Sequence, residues 1–339
     1  MQNEEGSTEF RIGIDIPVDT DDEEFCCSHL RVKQIENLEK CKNLQKLSIV
    51  ASCVEEIQNL DNNSNLQHLE IYQGLLKHIS SNIAVLTNLK VVDLSFNEIR
   101  VIENLDSLIH LEKLYLSNNK ISAVQGLENL SNLKVLELGS NKIRSINSEC
   151  MRPLKNLEAL WLGKNKIASF NDFIPLRFPK LKQLSLQSNR LTKWNPELFS
   201  TVAPNLTHLY LGSNRLPDMD APTLASLNPS CLQEIDLSCN VITRIPHFPH
   251  PMSALEELWL NDNQIGQEET FENLEFDFPV LKTIYIERNP VHTQFPLDCR
   301  RMILKNAPES LEQIDASMIP RSEIQVRVDP IHTRSILRH

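Results

Sequence analysis

From Leu89 to Asn289 the chain repeats one arrangement of apolar and polar positions, LxxLxLxxN, in copies such as LKVVDLSFN from Leu89, LEKLYLSNN from Leu111, LKVLELGSN from Leu133 and LEELWLNDN from Leu255. The alternation at the end of each copy has the period of a short, half-buried strand, and the asparagine marks the bend that ends it. Those asparagines fall at 97, 119, 141, 165, 189, 214, 240, 263 and 289, so successive copies lie 22 to 26 residues apart. Two weaker copies precede them, LQKLSIVAS from Leu44 and LQHLEIYQG from Leu66, where Ser52 and Gly74 stand in place of the asparagine. A half-copy, LRVKQIENL from Leu30, reads as the first cap.

This period and template predict leucine-rich repeats and not ankyrin or tetratricopeptide units. The expected fold class is α/β: a leucine-rich-repeat solenoid, horseshoe-shaped, with a parallel sheet on the concave face and a C-terminal cap. A single copy cannot bury its leucines, whereas stacked copies form a continuous ladder. The asparagine amide, able to donate and accept, is expected to link neighbouring coils at the bend. The pattern predicts an acidic tail over 1–24, a solenoid of about 11 to 12 repeats over 25–298, a cap over 299–320 and a second tail over 321–339. Within the cap, CRRMILKNAPESLEQIDA from Cys299 reads as an amphipathic helix followed by a short strand. The proline-containing expansions LPDMDAPTLASLNPS and PHFPHPMS read as ordered insertions on the rim.

With the leucines committed to the core, the residue between the last two leucines of each copy must project from the opposite face of its strand. In chain order that column is Ser48, Glu70, Asp93, Tyr115, Glu137, Trp161, Ser185, Tyr210, Asp236, Trp259 and Tyr285. Aromatics are only 6% of the chain, yet five of them stand here among four carboxylates. Rings in series on an exposed face mark an interaction surface, and interleaved acids select the charge of the partner. The competing reading is that neighbouring rings merely stack to stabilise the sheet. Two positions beyond the column lie Gly139, Gly163 and Gly212, which would let a partner come close to the backbone.

Composition narrows the classes further. Apolar residues make up 41% and charged residues 23% of the chain, the balance of a soluble globular protein. A net charge of -11 argues against wrapping a phosphate backbone, so no nucleic-acid partner is expected. No window has the apolar length of a membrane span, and the polar, acidic beginning MQNEEGSTEF lacks the form of an export signal, so an intracellular protein without a membrane partner is expected. Eight scattered cysteines fit that setting. Cys26 and Cys27 with His29 lack a second ligand pair, and His247 and His250 sit in a proline-rich loop, so neither a metal nor any other cofactor is expected. No nucleophile elbow, phosphate loop or HExxH stands anywhere in the chain, which points away from an enzyme.

Across about residues 30–316 the sequence resembles the regulatory subunit 7 family of protein phosphatase 1, a family of leucine-rich-repeat phosphatase regulators. The segments DLSFNEIR, ELGSNKIRSI, LGKNKI, LQSNRLTK, LWLNDN and YIERNP, together with the cap, carry that likeness beyond the generic repeat. The resemblance implies a partner, the catalytic subunit of protein phosphatase 1, gripped by the concave face. It also implies an inhibitor as a third subunit, and nuclear as well as cytoplasmic residence with a role in the cell cycle. Matching contact positions are Asp93, Tyr115, Glu137, Trp161, Asp236, Trp259 and Tyr285, with Glu257 beside the last tryptophan; Tyr210 joins them from the column itself. Tyr115 and Trp161 stand where the family usually has phenylalanine, and the longer copies between Asn141 and Asn289 depart from the family's more even spacing. No copy of the short docking peptide used by many phosphatase partners is present, since Arg327-Val328-Asp329-Pro330 lacks its aromatic residue. The alternative function is that of a generic leucine-rich-repeat adaptor, spliceosomal or cytoskeletal.

Overall fold

A computed structural model of the 339-residue chain describes residues 8–296 and 298–320. These fall into two compact units, the first reaching to Ile167 and taking in Pro175–Leu181, the second made of Ala168–Ile174 and the described residues from Lys182 onward. Both are leucine-rich-repeat solenoids.

In the first unit the strands are β1 (Glu24–Ser28), β2 (Lys46–Val50), β3 (His68–Tyr72), β4 (Val91–Asp93), β5 (Lys113–Tyr115), β6 (Ala123–Val124), β7 (Val135–Glu137), β8 (Ser145–Ile146) and β9 (Ala159–Trp161). All but β6 and β8 form one parallel ladder in chain order, each coil adding one strand. β6 and β8 pair with each other on the returning stretch, just before the short helix α1 (Ser148–Met151). Leu69, Val92, Leu114, Leu136 and Leu160 face inward from successive strands at 0% exposure. Burial of each such side chain stabilises the stack by about 1.5 to 3 kcal/mol.

The asparagine ladder behaves as its chemistry requires. Asn119 Nδ2 donates to the carbonyls of Leu94 in the preceding coil (2.9 Å) and Leu116 in its own (3.1 Å), while its Oδ1 accepts from Ile99 N at 2.9 Å. One side chain thus satisfies backbone groups of two coils, groups that would be costly to bury unpaired. Each bend also holds the residue before the asparagine in the left-handed region, as in Phe96 (φ 57°), Asn118 (55°) and Ser140 (54°). The two departures from the template compensate each other. Gly74 supplies no amide to the preceding coil, and there Ser52 Oγ accepts from Val54 N instead (3.4 Å).

A second asparagine set, not read from the sequence, lies on the return. Asn37, Asn59 and Asn104, all with φ near +60°, donate to the carbonyls of Ile12, Ile35 and Ile79 in the preceding coil. At the next such position stands Gly126 (φ 69°), where a β-carbon would meet Ile102 O at 2.5 Å.

The N-terminal boundary differs from the expectation of a tail over 1–24 followed by a cap at Leu30. Glu24 opens β1, whose Phe25 and Cys27 occupy the inward positions that leucines hold elsewhere. Residues 10–16 precede it as ordered chain: Phe10 bridges to Val32, Ile12 is fully buried, and Arg11 makes a bidentate pair with Glu36. The LRVKQIENL segment is therefore the return of a first full coil. Its sequence resembles a half-copy because the FCC of its strand carries no leucine.

The second unit continues the same construction with β10 (Gln183–Ser185), β11 (His208–Tyr210), β12 (Glu234–Asp236), β13 (Glu257–Trp259) and β14 (Thr283–Tyr285) in parallel. Its longer returns hold the two insertions. The first contains α2 (Ala221–Ser226), capped by Asp220 Oδ1 accepting from Thr223 N at 2.9 Å; beyond the second lies α3 (Leu274–Asp277). The buried carboxylate of Asp277 accepts from Phe248 N and pairs with His247, which ties down the proline-rich HFPH loop.

At the C-terminal end, α4 (Pro290–Gln294) and α5 (Cys299–Asn306) lead into β15 (Gln313–Ile314), which pairs with β14. β16 (Ser317–Met318) then turns back antiparallel and covers the free edge of β15, as exposed strand edges require. The helix and strand follow the expected cap; the antiparallel return was not foreseen. The second predicted tail, 321–339, lies outside the described residues.

Candidate functional site

In both units the strands alternate between a fully buried side chain and half-exposed neighbours, so the inter-leucine column lies on the open face of the sheet. Within the first unit, strand register sets Glu70 opposite Asp93, Asp93 opposite Tyr115, Tyr115 opposite Glu137 and Glu137 opposite Trp161. Small hydroxyl residues orient the acids. Ser48 Oγ donates to Glu70 Oε2 (2.6 Å), Ser95 N to Asp93 Oδ1 (2.9 Å) and Ser117 Oγ to Glu137 Oε1 (2.7 Å). Burial pushes the Asp93 carboxyl above its ordinary range, the charges of Glu70 and Glu137 add to this, and the Ser95 bonds oppose it. The Tyr115 phenol is raised by burial and by Glu137 and Asp93. Among the described residues no lysine, arginine or histidine forms an ion pair with Glu70, Asp93 or Glu137.

Within the second unit, Tyr210, Asp236, Trp259 and Tyr285 are consecutive neighbours across β11 to β14. Beside them, Glu234 stands opposite Glu257. Tyr210 Oη donates to Glu234 Oε2 at 3.0 Å, and Ser238 donates from both N (2.9 Å) and Oγ (2.6 Å) to Asp236 Oδ1. Burial raises the Glu234 carboxyl, with the charges of Glu257 and Asp236 in support. The rings of Trp259 and Tyr285 stack, and Tyr285 Oη accepts from Gln313 Nε2 at 2.9 Å. Trp259 Nε1 has no hydrogen-bond partner among the described residues.

Three features depart from the sequence expectation. Glu234 belongs to this cluster as fully as Glu257 does, and its signal was its identical place one copy earlier. Ser185 interrupts the column, being only 1% exposed. Gly212 does not serve the approach of a partner: a β-carbon there would lie 2.8 Å from Asp236 Oδ2 and 2.8 Å from Ser238 Oγ, so its space belongs to the Asp236 side chain. Gly139 does leave room, the nearest atom to its β-carbon position being Ser117 Oγ at 3.5 Å.

The described residues contain no cluster of three or more histidine, cysteine or acidic side chains placed to hold a metal. Nor is any described helix long and apolar enough to cross a membrane. What the geometry offers is a half-buried wall of oriented acids and rings.

A family model described as leucine-rich repeat region matches residues 22–326. The chain belongs to the leucine-rich-repeat family. This repeat protein is 37% identical over 83 residues to the protein phosphatase 1 regulatory subunit SDS22 of Saccharomyces cerevisiae, a match covering 23% of the chain and 25% of that protein. The matched stretch thus spans about a quarter of that relative's length. Among solved structures, it is similar to a leucine-rich-repeat protein of Leptospira interrogans, with a TM-score of 0.72 at 23% identity over 86% of this chain and 71% of that one. An internalin from Listeria monocytogenes follows at 0.66 and 20% identity, covering 88% and 87%. At these identities the likeness is one of fold.

Proposed function

We propose that this repeat protein is a non-catalytic regulatory subunit that binds the catalytic subunit of protein phosphatase 1 through the open face of its sheet. The observation that carries the proposal is the column itself. Asp93, Tyr115, Glu137 and Trp161 in one unit, and Tyr210, Asp236, Glu257, Trp259 and Tyr285 in the other, occupy the sheet face opposite the leucine core. Asp93, Glu137, Asp236 and Glu257 form no ion pair among the described residues, which fits a partner surface that brings basic groups, and stacked rings fit its apolar centre. The partial likeness to a yeast phosphatase regulatory subunit supports the choice of partner. An inhibitor as third subunit, and nuclear and cytoplasmic residence, belong to the same proposal.

Co-purification and calorimetry with recombinant phosphatase catalytic subunit test it, comparing the unaltered chain with Trp259→Ala and Glu137→Lys. Loss of a central ring should cost about 2 kcal/mol or more of binding with the fold retained. Equal binding by all three chains would remove the assigned face. No binding by the unaltered chain would favour a different adaptor role.

A further inference from the structure

At the turn side of the open face in the first unit, Phe96 is 44% exposed and its ring lies against Tyr72, centroids 5.0 Å apart and planes at 51°. The bend position Phe96 occupies has a left-handed backbone in every coil, filled elsewhere by polar residues such as Gln73, Asn118, Ser140, Lys164, Asp262 and Arg288. Asparagine suits that conformation best, long polar side chains there reach into solvent, and a large apolar ring has neither advantage. A large apolar side chain that is both disfavoured by its backbone and left in solvent contributes little to the fold at that position. Tyr72 lies on β3 two residues beyond Glu70, hence on the same face, and Glu70 stands opposite Asp93. The pair therefore continues the acid-lined column toward its outer rim.

We infer that the Tyr72–Phe96 pair is a contact for an arginine side chain of the protein that covers this face. A guanidinium stacks on aromatic rings with modest desolvation and pairs with planar carboxylates. Both are offered side by side here: Glu70 and Asp93 form no ion pair among the described residues, and His68, two positions before Glu70 on the same face, has its imidazole pushed below its ordinary range by burial. This inference rests on the reading of the open face as the phosphatase-binding surface and adds residues outside the column to it.

The test measures thermal stability and affinity for the recombinant phosphatase catalytic subunit in three chains: unaltered, Phe96→Asn and Phe96→Leu. Phe96→Asn should keep or raise the melting temperature, because asparagine tolerates the left-handed backbone, and weaken binding roughly five- to tenfold. Phe96→Leu keeps apolar bulk without a ring face and should weaken binding to a similar extent. Undiminished affinity of Phe96→Leu overturns the arginine contact, since any apolar residue would then serve. Undiminished affinity of Phe96→Asn overturns the role of the pair while leaving the phosphatase reading intact. Absence of binding by the unaltered chain overturns both.

Discussion

The indole of Trp259 lies flat on the ring of Tyr285, with centroids 3.8 Å apart and planes 18° from parallel. The two rings come from residues 26 positions apart in sequence, brought together by the parallel pairing of β13 and β14. Stacking and recognition are not exclusive here. Contact on one side of the indole fixes its orientation and leaves the rest of the face half-exposed.

Tyr285→Phe separates the two roles. It removes one of the two acceptors of the Gln313 amide, the other being the Asp315 carbonyl, while keeping the stack, so stability should fall by about 0.5 to 1.5 kcal/mol in urea unfolding. The Trp259 fluorescence spectrum should stay essentially unchanged. A marked spectral shift would show that the hydroxyl bond, and not the stack, positions the indole.

The glycines two positions beyond Glu137 and Tyr210 should respond oppositely to a methyl group. Gly212→Ala pushes a β-carbon into the Asp236 carboxylate and Ser238 hydroxyl and should cost about 1 to 3 kcal/mol. Gly139→Ala meets only ordinary contacts and should change stability by less than about 0.5 kcal/mol. Paired denaturant curves check the contrast.

Asn119→Ala should lower stability by about 3 kcal/mol, since it strands buried backbone groups in two coils at once. Hydrogen exchange should show the loss at Ile99 N, the amide whose acceptor is removed. Protection at Ile99 equal to that in the unaltered chain would contradict the ladder.

The cap contains a proton-dependent contact. His292 lies 3.6 Å from Asp315 Oδ2 and within 3.9 Å of Cys299 Sγ, and the bonds to Asp315 and then Cys299 push its imidazole up to about 10. A folded pKa above the unfolded value of 6.5 means this stabilisation is fully present below about 6.5 and is lost as pH rises through about 10. Asp315 is shifted the other way: bonds from His292, Ile286 and Glu287 outweigh its burial, so its contribution is lost in acid. Urea midpoints between pH 6 and 10.5 should decline for the unaltered chain and flatten for His292→Gln.

Much of the architecture could be read directly from residue order. A side chain buried every second position, a bend marked by asparagine, and a period of 22 to 26 residues leave stacking as the only way to bury the leucines. The same alternation put Asp93, Tyr115, Glu137, Trp161, Asp236, Trp259 and Tyr285 on one face, because strand geometry admits two faces and the leucines had taken the other.

What stayed hidden depended on contacts between coils. β1 escaped notice because Phe25 and Cys27 fill the leucine positions, and only the neighbouring coil shows that they are core. Gly212 looked like room for a partner until the rotamer of Asp236, held by Ser238, occupied it. Likewise Phe96 was one letter in DLSFN; its exposure and its approach to Tyr72 arise from a left-handed turn and a register that no local pattern encodes. Periodicity is a property of single residues and their order, so the sequence determined the repeat, the core and the open face. Which polar atoms are satisfied and which surface is left for another molecule are sums over neighbouring coils, and only the tertiary structure decided them.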